Sequence, residues 1–138
     1  MGLQLTRGGE YALRAMTYLA CRPEGRVCSL HDICQAQEIP ESFLAKILQS
    51  LAHAGLANSQ RGAHGGFALA RPAAEISMRD IVEAVDGPIA LNPCVLWPNE
   101  CSRNEECQMH KAWMHAQQQL MDVLETIKLS TFAPQPAD

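Results

Sequence analysis

Apolar positions fall into five stretches of helical spacing and one pair of strand-like segments, separated by turn residues. Between Gly8 and Cys21, residues Tyr11, Leu13, Ala15, Met16, Leu19 and Ala20 keep one helical face apolar, which predicts a core helix. Arg22-Pro23-Glu24-Gly25 ends it, because proline close to glycine favours a turn. Ser29 is placed to cap a second helix reaching about Gln37, with Asp32 in its first turn and Leu30, Ile33 and Cys34 inward. After Ile39-Pro40-Glu41-Ser42, the apolar face Phe43, Leu44, Ile47, Leu48 and Leu51 predicts a third helix that Gly55 terminates.

Two short helices in series across a tight turn outline a helix-turn-helix, whose second helix can enter a DNA major groove. Its remaining polar positions, Ser42, Lys46, Gln49 and Ser50, suit either DNA contact or an ordinary solvated face, and this helix alone does not separate the two. The next stretch favours DNA. Leu56 to Gln60 and Gly66 to Leu69 have the length and alternation of two strands around Arg61-Gly62-Ala63-His64-Gly65. A hairpin directly after a helix-turn-helix is a wing, and an arginine on a glycine-rich tip can enter a narrow minor groove. A plain surface hairpin is the alternative; the order helix, helix, hairpin argues against it.

Ile76 to Val85 predicts a fourth helix with Ile81, Val82 and Val85 inward, closed by Asp86-Gly87-Pro88. From Cys107 or Gln108 to Leu129 runs a long helix with Trp113, Leu120, Val123, Leu124 and Ile127 as its apolar positions. No partner for that stripe is evident in so small a domain, which predicts a dimerisation element, and a two-fold homodimer suits a palindromic DNA operator. The expected fold class is mainly α: a winged helix-turn-helix over 1–88 with a β-hairpin wing, a cysteine-rich segment at 89–110, a long C-terminal dimerisation helix at 107–132 and a flexible tail at 133–138.

Composition changes this picture at one place. Of six cysteines, Cys94, Cys101 and Cys107 share one proline-punctuated segment with His110. Thiolates suit zinc or iron-sulfur clusters and not calcium or magnesium. Gaps of six and five residues between the cysteines are wider than the close ligand pairs of a structural zinc site, which leans towards the larger iron-sulfur cluster. Cys21, Cys28 and Cys34 lie on or beside helices with apolar neighbours and are expected to be plain buried or half-buried thiols. The N-terminus has no cationic region followed by an apolar run, and no window approaches a membrane span, so a cytoplasmic location is expected and disulfides are not. Net charge is −4, but residues up to Ala70 carry +1 and the remainder −5, which permits a local basic face in the N-terminal half.

Leu5-Thr6, Glu10-Tyr11-Ala12-Leu13-Arg14-Ala15-Met16, Ile39 through Leu48, Arg61-Gly62-Ala63-His64-Gly65-Gly66-Phe67 and Val82-Glu83-Ala84-Val85-Asp86-Gly87 together closely resemble the Rrf-two family of winged-helix transcription regulators. Within that family, the cysteine segment followed by His110-Lys111-Ala112-Trp113 looks like the iron-sulfur cluster regulator branch. That resemblance implies a 2Fe-2S cluster held by Cys94, Cys101, Cys107 and His110. The first gap is one residue longer than usual there, and Ala63-His64 stands where the family commonly has proline and glycine. The nitric-oxide-sensing branch resembles the chain too, and implies a 4Fe-4S cluster completed by a carboxylate of the partner subunit at the position of Glu10. Without that role, Glu10 is an acidic first-turn residue favouring the helix dipole. His110, likewise, has a plain reading as a solvated histidine at a helix start.

The family further implies that Ser42, Ala45, Lys46 and Gln49 read DNA, with Arg61 on the wing, where His64 is a further candidate for DNA contact. Ala45 stands where the cluster regulator carries an acidic specificity switch. The expected function is a homodimeric transcriptional regulator sensing redox state, nitric oxide or iron-sulfur status. A small iron-sulfur electron carrier or a zinc-stabilised DNA-binding protein without sensing is the alternative. An enzyme is not expected: no nucleophile-base pair appears, and Gly62 to Gly66 lacks the lysine and following helix of a phosphate-binding loop.

Overall fold

The computed structural model describes residues 5–91 and 108–133. Helix α1 (Arg7–Ala20) starts where the Thr6 hydroxyl accepts from the Gly9 amide at 3.0 Å. It buries Ala12, Ala15, Met16 and Leu19, and the two alanines let its neighbours approach closely. Gly9 suits such an approach, since a side chain there would have to displace its neighbours. A Cβ there would lie 2.7 Å from an Asp86 carboxylate oxygen and 2.9 Å from Leu5.

Helix α2 (Leu30–Gln37) is capped as expected, the Ser29 hydroxyl accepting from the Asp32 amide at 3.1 Å. It ends on Glu38, a non-glycine residue in the left-handed region with φ 55°. This lets the Ile39 amide return to the Cys34 carbonyl at 3.2 Å and turns the chain into α3 (Glu41–His53). Leu44, Ile47, Leu48 and Leu51 bury the inner face of α3, and Gly55 at φ 80° ends it.

Strands β1 (Ala57–Gln60) and β2 (Gly66–Leu69) pair antiparallel in the register Ala57↔Leu69 to Gln60↔Gly66. The hairpin is fastened to the domain by a feature with no sequence signal. Cys28 and Phe67 exchange both backbone hydrogen bonds at 2.8 Å, so the segment before α2 adds a one-residue edge to the wing. Gly66 permits this contact, since a Cβ there would overlap the Cys28 carbonyl.

A 3-10 turn (Ala73–Glu75) leads into α4 (Met78–Asp86), which begins two residues later than the apolar pattern suggested because Ser77 caps it. Helix α5 (Gln108–Thr126) stops short of the expected Leu129, since Ile127 to Leu129 leaves the helix to pair with the start of α4. The Met78 amide donates to the Ile127 carbonyl at 2.9 Å, and the Leu129 amide to the Ile76 carbonyl at 2.8 Å. Leu129 then heads a 3-10 turn (Leu129–Phe132) and is buried in the common core with Met16, Leu48, Ile76 and Ile81.

Part of the stripe on α5 therefore has a partner within the monomer. Gln117 and Met121 are buried, and Trp113, Leu120, Leu124 and Ile127 are half-buried. Val123, Met109 and Met114 remain exposed. No helix among the described residues is long and apolar enough to cross a membrane. Most of the cysteine-rich segment (92–107) and residues 134–138 of the expected tail lie outside the described residues.

Candidate nucleic-acid interface and ligand segment

Burial of Leu44, Ile47, Leu48 and Leu51 fixes which way α3 faces, because residues three and four apart share a helical face. Ser42, Lys46 and Gln49 are consequently exposed on the opposite side, with Ala45 half-buried beside them. Phe43 departs from its expected inward position. It is 42% exposed, and its ring meets Tyr11 edge to face at 5.4 Å and 88°. Four aliphatic side chains already fill the inner face, so the fifth is left at the margin. The Arg14 guanidinium lies 5.6 Å from the Tyr11 ring and donates to the Gln37 carbonyl, joining α1 to the last turn of α2, which has no basic residue of its own. These contacts brace α2 and α3 against α1.

Arg61 and His64 are both exposed at the tip between β1 and β2. Gly62 at φ 110° and the bond from the Gly65 amide to the Gly62 carbonyl at 3.0 Å make the tip a tight turn. The arrangement therefore presents one row of polar donors on α3 and two basic side chains on a projecting hairpin.

Of the proposed ligands, Cys94, Cys101 and Cys107 lie outside the described residues, while His110 and Glu10 are described. Glu10 is exposed in the first turn of α1. His110 is half-buried near the start of α5. Among the described residues, its Nδ1 is the one buried side-chain nitrogen or oxygen without a hydrogen-bond partner. An imidazole nitrogen shut off from water needs a proton acceptor, a donor or a metal, so this orphan atom fits a ligand role.

The remaining cysteines divide. Cys28 is buried and Cys34 half-buried, as expected, whereas Cys21 is exposed beyond the end of α1. Burial pushes the Cys28 thiol up, against the opposing pull of Arg22 and Arg26. Burial and then Glu41 raise the Cys34 thiol. Neither is disposed to be a thiolate ligand.

Three polar residues escaped the sequence reading. Ser77 and Asp80 form a full capping box, Ser77 Oγ accepting from the Asp80 amide at 3.0 Å and the Ser77 amide donating to the Asp80 carboxylate at 3.1 Å. The spacing of the pair was a usable signal. Gln117, by contrast, is the first of three consecutive glutamines, and nothing in the local sequence sets it apart. It accepts from the Leu91 amide at 2.9 Å and donates to the Ile89 carbonyl at 2.6 Å.

Comparison with known proteins agrees with this geometry. The Rrf2 family, described as iron-dependent transcriptional regulators, matches residues 5–135. A protein described as an HTH-type transcriptional regulator of Mycobacterium tuberculosis is 43% identical over 88 residues, covering 64% of this chain but only 55% of that relative's length. One from Aquifex aeolicus is 34% identical over 123 residues, covering 86% of this chain and 85% of the relative. Among solved structures, CymR, the global cysteine regulator of Bacillus subtilis, superposes with a TM-score of 0.79 at 27% identity, covering 96% of this chain and 99% of CymR. IscR of T. potens superposes with a TM-score of 0.73 at 28% identity, covering 94% and 85%. With helix-turn-helix, wing and C-terminal helix all in place, the chain belongs to the Rrf2 family of transcriptional regulators and has a winged-helix fold.

Proposed function

We propose that the chain is a homodimeric DNA-binding regulator whose DNA affinity responds to an iron-sulfur cluster held by Cys94, Cys101, Cys107 and His110, with 2Fe-2S favoured and 4Fe-4S, completed by Glu10 of the partner subunit, as the alternative. The observation that carries the cluster reading is the buried, unpartnered Nδ1 of His110, three residues past Cys107. The iron-dependent description of the family supports it. When bound, such a cluster supplies a centre that oxidants, nitric oxide or iron shortage can alter.

The chain's own residues do the rest. Ser42, Lys46 and Gln49 face a major groove from α3, while Arg61 and His64 reach the backbone or minor groove from the wing. Arg14, Tyr11 and Phe43 hold the reading helix against α1. The exposed Met109 and Val123, fourteen residues apart and so on one side of α5, belong to the face that meets a second copy, and the resulting two-fold symmetry calls for a palindromic operator. Residues 1–88 then act as the reading head, 89–110 as the sensor segment, 107–132 as the dimer helix and 133–138 as a tail. A coupling of about 1–3 kcal/mol between sensor and reading head gives roughly five- to 150-fold regulation.

Anaerobic selection from randomised duplex DNA, performed with iron-loaded and iron-free protein, tests the proposal. It predicts enrichment of a palindrome and a change in affinity of at least fivefold between the two forms. Equal affinity in both forms contradicts sensing, and bound zinc in place of iron favours the purely structural site.

A further inference from the structure

Four elements leave a cleft of about 320 Å³ between them, lined by Leu13, Arg14 and Thr17 of α1, Gln37 at the end of α2, Met78 at the start of α4 and Phe132 in the last 3-10 turn. That is the volume of about ten water molecules, at the lower end of the range for small-ligand sites. Five of the six side chains are half-buried, and Phe132 is 45% exposed. Helical spacing accounts for the opening. Leu13 and Thr17 stand one turn apart and share a face of α1, while Ala12, Ala15, Met16 and Leu19 turn to the core. Leu129 takes the buried position of the 3-10 turn, so Phe132 is left as an uncovered aromatic wall.

The lining is chemically one-sided. Leu13, Met78 and Phe132 supply an aliphatic group, a thioether and an aromatic ring, which together suit a flat apolar body. Arg14 is the one charge among the six. Among the described residues its guanidinium meets the Gln37 carbonyl and the Tyr11 ring but no carboxylate. The Thr17 hydroxyl donates its proton to the Leu13 carbonyl at 2.7 Å and has none for a ligand. One cation beside apolar walls calls for a single carboxylate on a small apolar body, since a second carboxylate or an amine would go unpaired there.

We propose that this cleft binds a small aromatic monocarboxylate, its carboxylate on Arg14 and its ring among Leu13, Met78 and Phe132, and that occupancy alters DNA affinity. The effect on DNA follows from what the walls are joined to. Arg14 ties α1 to the last turn of α2, just before the turn into the reading helix. Met78 donates its amide to the Ile127 carbonyl, at the joint between α4 and the end of α5. A bound anion competes with the Gln37 carbonyl for the guanidinium, and so acts on the brace behind the reading helix. The site shares no residue with the cluster reading and does not depend on it.

Isotope-labelled, iron-free, full-length protein is titrated with phenylacetate, and with phenylacetamide as its uncharged counterpart, while amide resonances are followed. Saturable shifts at Thr17, Gln37 and Met78 are expected, with the acid at least roughly tenfold tighter than the amide. Arg14→Gln abolishes that preference, whereas Phe132→Ala weakens acid and amide alike by about tenfold. A general loss of structure would not separate the two variants in this way. Saturating phenylacetate is expected to change the affinity for a mixed-sequence DNA duplex at least roughly fivefold in an anisotropy titration. Absence of saturable shifts at these amides, or equal binding of acid and amide by wild type, overturns the site. Saturable binding with unchanged DNA affinity overturns the effector role.

Discussion

Replacing Ser77 with alanine is the sharpest test of how the start of α4 is held. Ser77 is fully buried at the start of α4, where its hydroxyl accepts from the Asp80 amide at 3.0 Å. The same residue bridges Lys128 and is flanked by the bonds that tie Met78 to Ile127 and Leu129 to Ile76. Losing an N-cap of this kind costs about 0.5–2 kcal/mol. Leaving a buried donor unsatisfied costs about 1–3 kcal/mol. Both figures describe one event, the orphaned Asp80 amide, so they overlap instead of adding, and about 1–2 kcal/mol is expected. For a chain of this length that is a fall in melting temperature of about 3–10 °C. Ser29→Ala is the control: it breaks a bond of similar length, 3.1 Å, at an exposed position where water can replace it, and should cost less. The assay is thermal unfolding by circular dichroism at one fixed chain concentration, so that self-association cannot shift the midpoint between variants. If Ser77→Ala costs no more than Ser29→Ala, the capping box does not anchor α4 as described.

Lys46→Ala and Arg61→Ala should each weaken DNA binding while leaving the melting temperature within about 2 °C, and loss of a phosphate contact should lower the salt slope by about 1 in a binding titration. Glu38→Gly removes a left-handed conformation from a residue with a side chain and should stabilise the protein by about 0.5–1 kcal/mol in urea unfolding. Gly66→Ala should cost well over 2 kcal/mol, because the added carbon overlaps the Cys28 carbonyl and forces the wing off its anchor. The Cys28 and Cys34 thiols are raised by burial, so folding favours their neutral forms. That stability is intact below the ordinary thiol value and disappears as pH rises through the raised one, so unfolding by urea should become easier at the alkaline end, and iodoacetamide at pH 8 should modify Cys21 in native protein but Cys28 and Cys34 only after unfolding.

How much of this was legible in the sequence depended on the range of the interaction. The helices of the reading head follow from apolar spacing, caps and glycines, all local signals, and Ser29, Gly55 and Gly87 mark their ends as read. The wing strands were legible too, but their attachment through Cys28 was not, because a single bridged residue leaves no alternation to detect. Phe43 was misplaced because apolar spacing cannot tell which of five neighbours the core has no room for. Helix α5 was drawn too long for a related reason: Ile127 continues the helical stripe, and only the backbone pairing of Ile127 and Leu129 with Met78 and Ile76 draws the chain out of the helix. For the candidate site, the exposure of Ser42, Lys46 and Gln49 follows from the pattern opposite them. Gln117 could not have been found, since a buried glutamine that bonds backbone has the same local sequence as a solvated one.

Iron and acid-labile sulfide analysis with the Mössbauer spectrum of anaerobically purified protein, for wild type and the alanine variants of Cys94, Cys101, Cys107, His110 and Glu10, tests the central claim most directly. Each cysteine variant is expected to lose the cluster, with a 2Fe-2S spectrum in wild type that His110→Ala perturbs and Glu10→Ala does not. A 4Fe-4S spectrum dependent on Glu10 would exchange the fourth ligand, and wild-type protein without iron under strict anaerobiosis would rule the cluster out.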